Sequence, residues 1–484
     1  MAVLKIKQGE ITRELEFLPP KPLALLLQEA GIAVRHPCGG RGSCGKCRVE
    51  LMGEVSAANK DEKLAGARLS CQAVILGDAQ VTLGEPDSIS QIEMGSAAAI
   101  KAVNPMDGKV GAAVDIGTTT IALRLYDLIS GELLSESAME NPQTAVAADI
   151  MGRIGAAMEG KLSVLQTQVR SAVKELLVKA GGDADVMVIT GNTTMLYLLT
   201  GRDTTCLSAY PFKADTLFDT EIQLDGIPVY LPPCMNAFVG ADITCAVLAS
   251  EMCSDKIALL CDIGTNGELA LWKDSILYVT STAAGPAFEG AGISCGCSSI
   301  PGAIDRVWEN DGEVHVHTID DVSAVGVCGS GLIDATAILL ELELMDETGA
   351  MDDDLELAPG VVLLQKDIRA VQLAKAAIAA GIKTLLEASE TELDQIEKFY
   401  IAGGFGSHIN IASAARIGLI PDELTDRVEV LGNAALAGAS SILLNRGNFR
   451  EIRRIAGMSR HWDLGGNPNF NTHYMDAILF PFNM

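Results

Sequence analysis

The chain has 484 residues, 48% hydrophobic but only 4% aromatic, with 63 acidic against 36 basic residues and a net charge of −27. At about 150 residues per domain this length implies roughly three folded units, and the charge disfavours nucleic acid or anionic lipid as a partner. The opening MAVLKIKQGE lacks the apolar core of a signal peptide, and no run of about 18 apolar residues suits a membrane span. A cytoplasmic chain is therefore expected, whose 12 cysteines are thiols or metal ligands, not a disulfide framework.

Residues 1–84 read as short strands and turns. LKIKQ and TRELEFLP suggest a hairpin, PLALLLQEAGI a first helix, and CRVELMGEV and QAVILGDAQVTL later strands. Residues 85–110 hold turn formers without periodicity and read as a linker. From residue 111 onward, apolar runs that end in glycine turns alternate with long helical stretches. The runs are VGAAVDIG, DVMVITGN, IALLCDIG and EKFYIAGG. That alternation predicts an α/β fold. The expected division is residues 111–255 as one lobe, 256–450 as a second lobe whose last helix returns to the first, and 451–484 as a C-terminal tail packed on the domain the lobes form.

Four cysteines, Cys38, Cys44, Cys47 and Cys71, follow the spacing C-x5-C-x2-C-x23-C. Four thiolates suit two irons with two terminal ligands each, and the intervening Gly39, Gly40, Gly42 and Gly45 let a loop wrap the cluster with its N–H groups aimed at sulfur. A structural zinc site would favour two C-x2-C pairs, and this segment has one. The other eight cysteines lack a cluster spacing and read as small buried apolar residues. Among them the Cys295-x-Cys297 pair stands out.

Asp-Ile-Gly-Thr occurs twice, in VDIGTTTIALRLYD from Val114 and CDIGTNGELALWKD from Cys261. In each copy a buried strand ends at an acid, a glycine permits a tight turn, and small hydroxyl residues follow. Such a turn offers backbone N–H groups to a phosphate, and its acid can hold Mg²⁺ through water. Two copies facing each other would grip a polyphosphate from both sides.

Residues 1–84 resemble a [2Fe–2S] ferredoxin of the β-grasp fold, with the five-residue first gap of the adrenodoxin-like pattern. The doubled phrase is similar to the phosphate motifs of the two-lobed ATPase superfamily of actin, the 70-kDa heat-shock proteins and sugar kinases, built on ribonuclease H-like lobes. FYIAGGFGSHINIASAARIG, VLGNAALAGASSIL, VGVCGSGLIDATAIL and VITGNTTMLYLL resemble its remaining elements. By that resemblance Asp115 and Asp262 flank Mg²⁺, and Gly117, Thr118, Thr119, Gly264, Thr265 and Asn266 contact the phosphates of ATP. Gly403 and Gly404 approach the adenosine, and Gly329, Ser330 and Gly331 the base or ribose. Glu268 either orients water or metal or faces solvent. Lys375 either reaches the nucleotide or, the better expectation, is solvated.

The whole combination resembles the reductive activators of corrinoid proteins. That resemblance implies one-electron transfer from the [2Fe–2S] cluster to a Co(II) corrinoid, made ATP-dependent by the lobes, with a corrinoid protein of a methyltransferase system as partner. The upstream electron donor is not implied, and a homodimer is compatible with the chain. Two other readings share the motifs: an ATP-gated donor to another low-potential enzyme, and a ferredoxin-fused small-molecule kinase with Asp149 as its one candidate catalytic carboxylate. A third is a nucleotide-dependent adaptor without redox activity. His473 in the tail reads as a surface or packing residue.

Overall fold

The computed structural model of the chain describes residues 1–8, 11–30, 32, 47–83, 103–404 and 409–481. The expected first hairpin forms: Ala2–Gln8 pairs antiparallel with Ile11–Phe17. Ala2–Gln8 also runs parallel to Val74–Leu83, which is antiparallel to Arg48–Val55. The helix Leu23–Glu29 covers this sheet, and Leu4, Ile6, Leu23, Leu26, Ile75 and Val81 form a core of its own. The alternation of buried and exposed residues along Val74–Leu83 explains why period two was readable there.

The body contains two six-stranded sheets with matching pairings. In the first, Val110–Ile116 is antiparallel to Thr120–Asp127, which is antiparallel to Leu133–Glu140. On its other side Val110–Ile116 runs parallel to Val186–Gly191, followed by the parallel strand Ile227–Leu231. In the second, Ile257–Ile263 is antiparallel to Gly267–Lys273, then Ile276–Thr282. On its other side it runs parallel to Lys398–Ala402, then Val428–Gly432. The two Asp-Ile-Gly-Thr phrases thus occupy equivalent places, at the turn of the hairpin that starts each sheet.

Each sheet is covered on both faces, which is why its central strands read as continuous apolar runs. The outer face of the first packs on Leu162–Lys179 and Thr193–Thr200. That of the second packs on Gly329–Glu341 and Gln365–Ala388. Between the sheets lie the helices Ala241–Ser250 and Ala434–Leu444. The second of these follows the last strand of the second sheet, yet Leu436, Ala439, Ile442 and Leu443 pack with Ala113, Val186 and Val188 of the first. Burial of each such Leu or Ile contributes about 1.5–3 kcal/mol, so packing and not helix propensity fixes this segment. Gly438 lets the two helices touch: a Cβ there would lie 2.1 Å from the carbonyl oxygen of Cys245.

Residues 103–107, the described end of the expected linker, lie along the C-terminal end of that helix. The N–H of Met106 donates to Leu443 O (2.9 Å), and Arg446 donates to the carbonyls of Asn104 (2.7 Å) and Pro105 (2.9 Å). The tail helix Pro468–Ile478 packs on Gln365–Ala388. No described helix is long and apolar enough to cross a membrane.

Candidate functional site

Two of the four cluster cysteines lie among the described residues. The short pairing of Arg48 with Leu69 and the bond from Ser70 N–H to Cys47 O (2.8 Å) bring Cys47 and Cys71 together, with their sulfurs 3.2 Å apart. Asn59 and Glu62 close a capping box on the short helix Lys60–Ala65, and the Glu62 carboxylate accepts from Leu69 N–H (3.0 Å) and Arg68 Nε (2.8 Å). Glu62 thereby braces the chain just ahead of Cys71. The paired sulfurs fit one side of a thiolate-ligated iron centre. Cys38, Cys44 and the glycines Gly39, Gly40, Gly42 and Gly45 lie outside the described residues.

In the body, both hairpin turns open onto one cleft of about 280 Å³ between the sheets. Asp115, Gly117, Thr118 and Thr119 line it from the first turn, and Asp262, Gly264, Thr265 and Asn266 from the second. The turns are closed alike, by Gly117 N–H to Thr120 O (2.9 Å) and Gly264 N–H to Asn266 O (3.0 Å). Gly117 is required, since a Cβ would sit 2.6 Å from Thr120 O. Gly403 and Gly404 complete the wall. Gly403 has φ +100°, and a Cβ there would lie 2.8 Å from Asp262 Oδ1.

Gly329 and Cys328 also line the cleft, but Ser330 and Gly331 do not. Ser330 is buried with its hydroxyl 3.4 Å from Cys328 Sγ, and Gly331 presses on the Ile304 carbonyl, 2.2 Å from the place of a Cβ. They start the helix Gly329–Glu341 and pack it against the strand Ala303–Asn310.

Six carboxylates line this space: Asp115, Glu140, Asp242, Asp262, Glu268 and Glu289. Burial raises Asp115, Asp242, Asp262, Glu268 and Glu289 above the usual carboxylate range. Asp115 rises to about 6, with the Asn433 amide opposing the shift. Asp262 rises to about 7, through burial and then the charges of Asp115 and Glu289. Asp242 rises to about 8, through burial and then Asp115 and Asp262. Glu268 is pushed well up by burial, Asp242 and Asp262. It is buried and does not face solvent. Burial also raises Glu289, offset by hydrogen bonds from the Thr119 and Thr265 hydroxyls. A site that holds acids this reluctantly is one that a cation would relieve. Among the described residues no three His, Cys, Asp or Glu side chains gather closely enough to ligate an ion directly.

Asp242, Glu289, Asn192, Asn433 and Arg153 were not singled out from the sequence. Asp242 sits in the first turn of Ala241–Ser250, a place where an acid reads as ordinary helix chemistry. Asn192 and Asn433 cap the helices that leave their strands. Asn192 also donates to Thr118 Oγ1 (3.2 Å) and Asn433 to Asp115 Oδ2 (3.0 Å). The fully buried Arg153 donates to Thr118 O (2.6 Å), Ala147 O (3.0 Å) and Gln143 Oε1 (3.2 Å), bracing the first turn. The capping residues carried a readable signal, a strand followed by Asn and a helical run. Arg153 and Glu289 reach the site only through tertiary packing.

Lys375 is corrected on both counts. It is neither solvated nor at the cleft: it is buried, and its Nζ donates to Ala477 O (2.7 Å) and Leu479 O (2.6 Å) of the tail. Asp149 is exposed and caps the helix Ile150–Ala156, accepting from Gly152 N–H at 2.7 Å. His473 packs in the tail with Nε2 2.8 Å from Glu387 Oε1. Of the Cys295-x-Cys297 pair, only Cys297 lines the cleft.

These features define a class: a ferredoxin unit joined to a two-lobed ATPase fold. Family models agree. Residues 6–76 match the 2Fe-2S iron-sulfur cluster binding domain, 110–255 the RACo middle region, and 256–484 the C-terminal domain of RACo, the ASKHA domain. The corrinoid activation enzyme RamQ of Eubacterium limosum is 33% identical over 422 residues, covering 77% of this chain and 71% of that protein. The [Co(II) methylated amine-specific corrinoid protein] reductase of Methanosarcina barkeri is 25% identical over 417 residues, covering 76% and 77%. A solved reductive activator for corrinoid, iron-sulfur protein superposes with TM-score 0.72 at 26% identity, over 99% of this chain and 98% of that one. The chain belongs to this family of corrinoid-protein activators.

Proposed function

We propose that this protein is an ATP-dependent reductase that returns a corrinoid protein from Co(II) to Co(I) by delivering one electron. The observation that carries the reading is the joining of a ferredoxin unit to a cleft framed by two equivalent phosphate turns, in a chain related along most of its length to corrinoid activators. Its place of action would be the cytoplasm.

Cys38, Cys44, Cys47 and Cys71 would hold a [2Fe–2S] cluster, which would supply the single electron. Co(I) is a strong reductant, so the transfer runs uphill when the cluster potential is the higher, each ~59 mV being tenfold in the equilibrium constant. ATP is the source of bias that the cleft supports. The turn residues Thr118, Thr119, Thr265 and Asn266 would bind the phosphates, Asp115 and Asp262 would hold hydrated Mg²⁺, and Gly403 and Gly404 would admit the adenosine. Lobes closed on nucleotide would then present the protein to its Co(II) partner with a different affinity from the open form, as any such switch requires.

Against the kinase reading, its one candidate catalytic carboxylate, Asp149, is an exposed helix cap and is not among the residues that line the cleft. The test is optical. Reduced protein is mixed with Co(II) corrinoid protein, with and without Mg·ATP, and Co(I) absorbance is followed. An ATP-dependent rise supports the reading, and a rate indifferent to ATP overturns the coupling. A Cys38→Ser protein should give no Co(I) under either condition.

A further inference from the structure

The two phosphate turns are already bridged by a carboxylate. Glu289 belongs to the short turn Ala287–Glu289 of the second lobe and lines the cleft. Thr119 Oγ1, from the first turn, donates to Glu289 Oε2 at 2.5 Å. Thr265 Oγ1, from the second, lies 3.0 Å from both carboxylate oxygens. The two hydroxyls are 3.5 Å apart. One anionic group therefore engages both of the hydroxyls through which a phosphate would be gripped.

We propose that Glu289 is a built-in surrogate for phosphate: in the nucleotide-free protein its carboxylate ties the two turns together, and ATP must displace it to bind. A carboxylate and a phosphate oxygen accept hydrogen bonds from the same donors, and two anions cannot share them at these distances without repulsion. The donors come from different lobes, so one side chain both holds the lobes together and competes with the ligand. Hydrogen bonds to a charged acceptor are the stronger kind, which makes the competition appreciable. Glu289 is thus a positioning residue that sets nucleotide affinity and the closure of the empty cleft. The proposal rests on the reading of this cleft as a nucleotide site.

The test uses the full chain with its cluster. Mg·ATP binding is measured by calorimetry for wild type, Glu289→Ala and the isosteric Glu289→Gln, with Asp262→Asn as the control for the site itself. Removal of the carboxylate should tighten Mg·ATP by about tenfold or more. It should also raise the radius of gyration of the nucleotide-free protein by solution scattering, while the ATP-bound forms coincide. A merely structural Glu289 would weaken binding along with stability. The Gln variant, which keeps shape and one acceptor, guards against misfolding of the Ala variant. Unchanged or weaker ATP binding in both Glu289 variants, with Asp262→Asn impaired, overturns the proposal alone. If wild type binds no Mg·ATP, or Asp262→Asn binds it as well as wild type does, the nucleotide reading falls and this proposal with it.

Discussion

Asn433 Nδ2 donates to Asp115 Oδ2 across 3.0 Å, joining residues 318 positions apart in the chain. The same side chain caps the helix Ala434–Leu444 through Oδ1, which accepts from Leu436 N–H at 2.8 Å. One amide therefore secures the inter-sheet helix and orients an acid of the cleft. Asn433→Ala is expected to lower stability by about 1 kcal/mol through the lost cap, read from urea denaturation. It should also weaken Mg·ATP binding, because Asp115 loses the one hydrogen bond that opposes its protonation.

The crowded acids make a pH signature. Asp115, Asp262 and Asp242 titrate at about 6, 7 and 8 in the fold, against 3.8 for an ordinary Asp. Between pH 4 and 8 the folded protein therefore binds more protons than the unfolded chain. Stability should fall as pH rises through that window. Urea midpoints at pH 5 and pH 8 check this, and saturating Mg·ATP should flatten the difference by stabilising the ionised acids. Asp262→Asn should raise the midpoint of the ligand-free protein at pH 8 while abolishing most of the stabilisation by Mg·ATP.

Gly438 is the contact point of the helices Ala241–Ser250 and Ala434–Leu444, with no room for a methyl group beside the Cys245 carbonyl. Alanine would gain up to about 1 kcal/mol of helix propensity, but forcing backbone apart typically costs about 1–3 kcal/mol. Gly438→Ala should be net destabilising, and it should reduce ATP-dependent Co(I) formation more than ATP-independent cluster reduction. Thermal unfolding and the optical assay report the two effects.

The cluster unit has a hydrophobic core drawn entirely from residues 2–83. Cys71→Ser should therefore abolish the visible absorbance of the cluster and all Co(II) reduction, yet leave Mg·ATP affinity within about twofold of wild type. Absorbance and calorimetry on the same preparation separate the two.

What was legible in the sequence follows from local physics. The hairpins at Asp115 and Asp262 were readable because strands buried on both faces are written as unbroken apolar runs ending in a glycine turn. Gly117 and Gly403 were readable because only glycine fits where they stand. Lys375 was not, since a lysine in a helix reads as solvated until a tail supplies the carbonyls of Ala477 and Leu479. Ser330 and Gly331 carried a motif resemblance, but the close approach that needs Gly331 is to the Ile304 carbonyl and not to the cleft. Asp242 and Glu289 belong to the site by packing alone, and no spacing in the chain announces a contact made across lobes.

The chain enters the body at residues 103–107, clasped by Leu443, Leu444 and Arg446 at one end of the inter-sheet helix. The other end of that helix caps on Asn433 beside Asp115, and the strand that carries Asp115 sets out from the same entry point at Val110. Helix and strand therefore run from the point of entry to the cleft, so the first described residues of the body and the acid of the first turn are joined by two continuous elements of secondary structure.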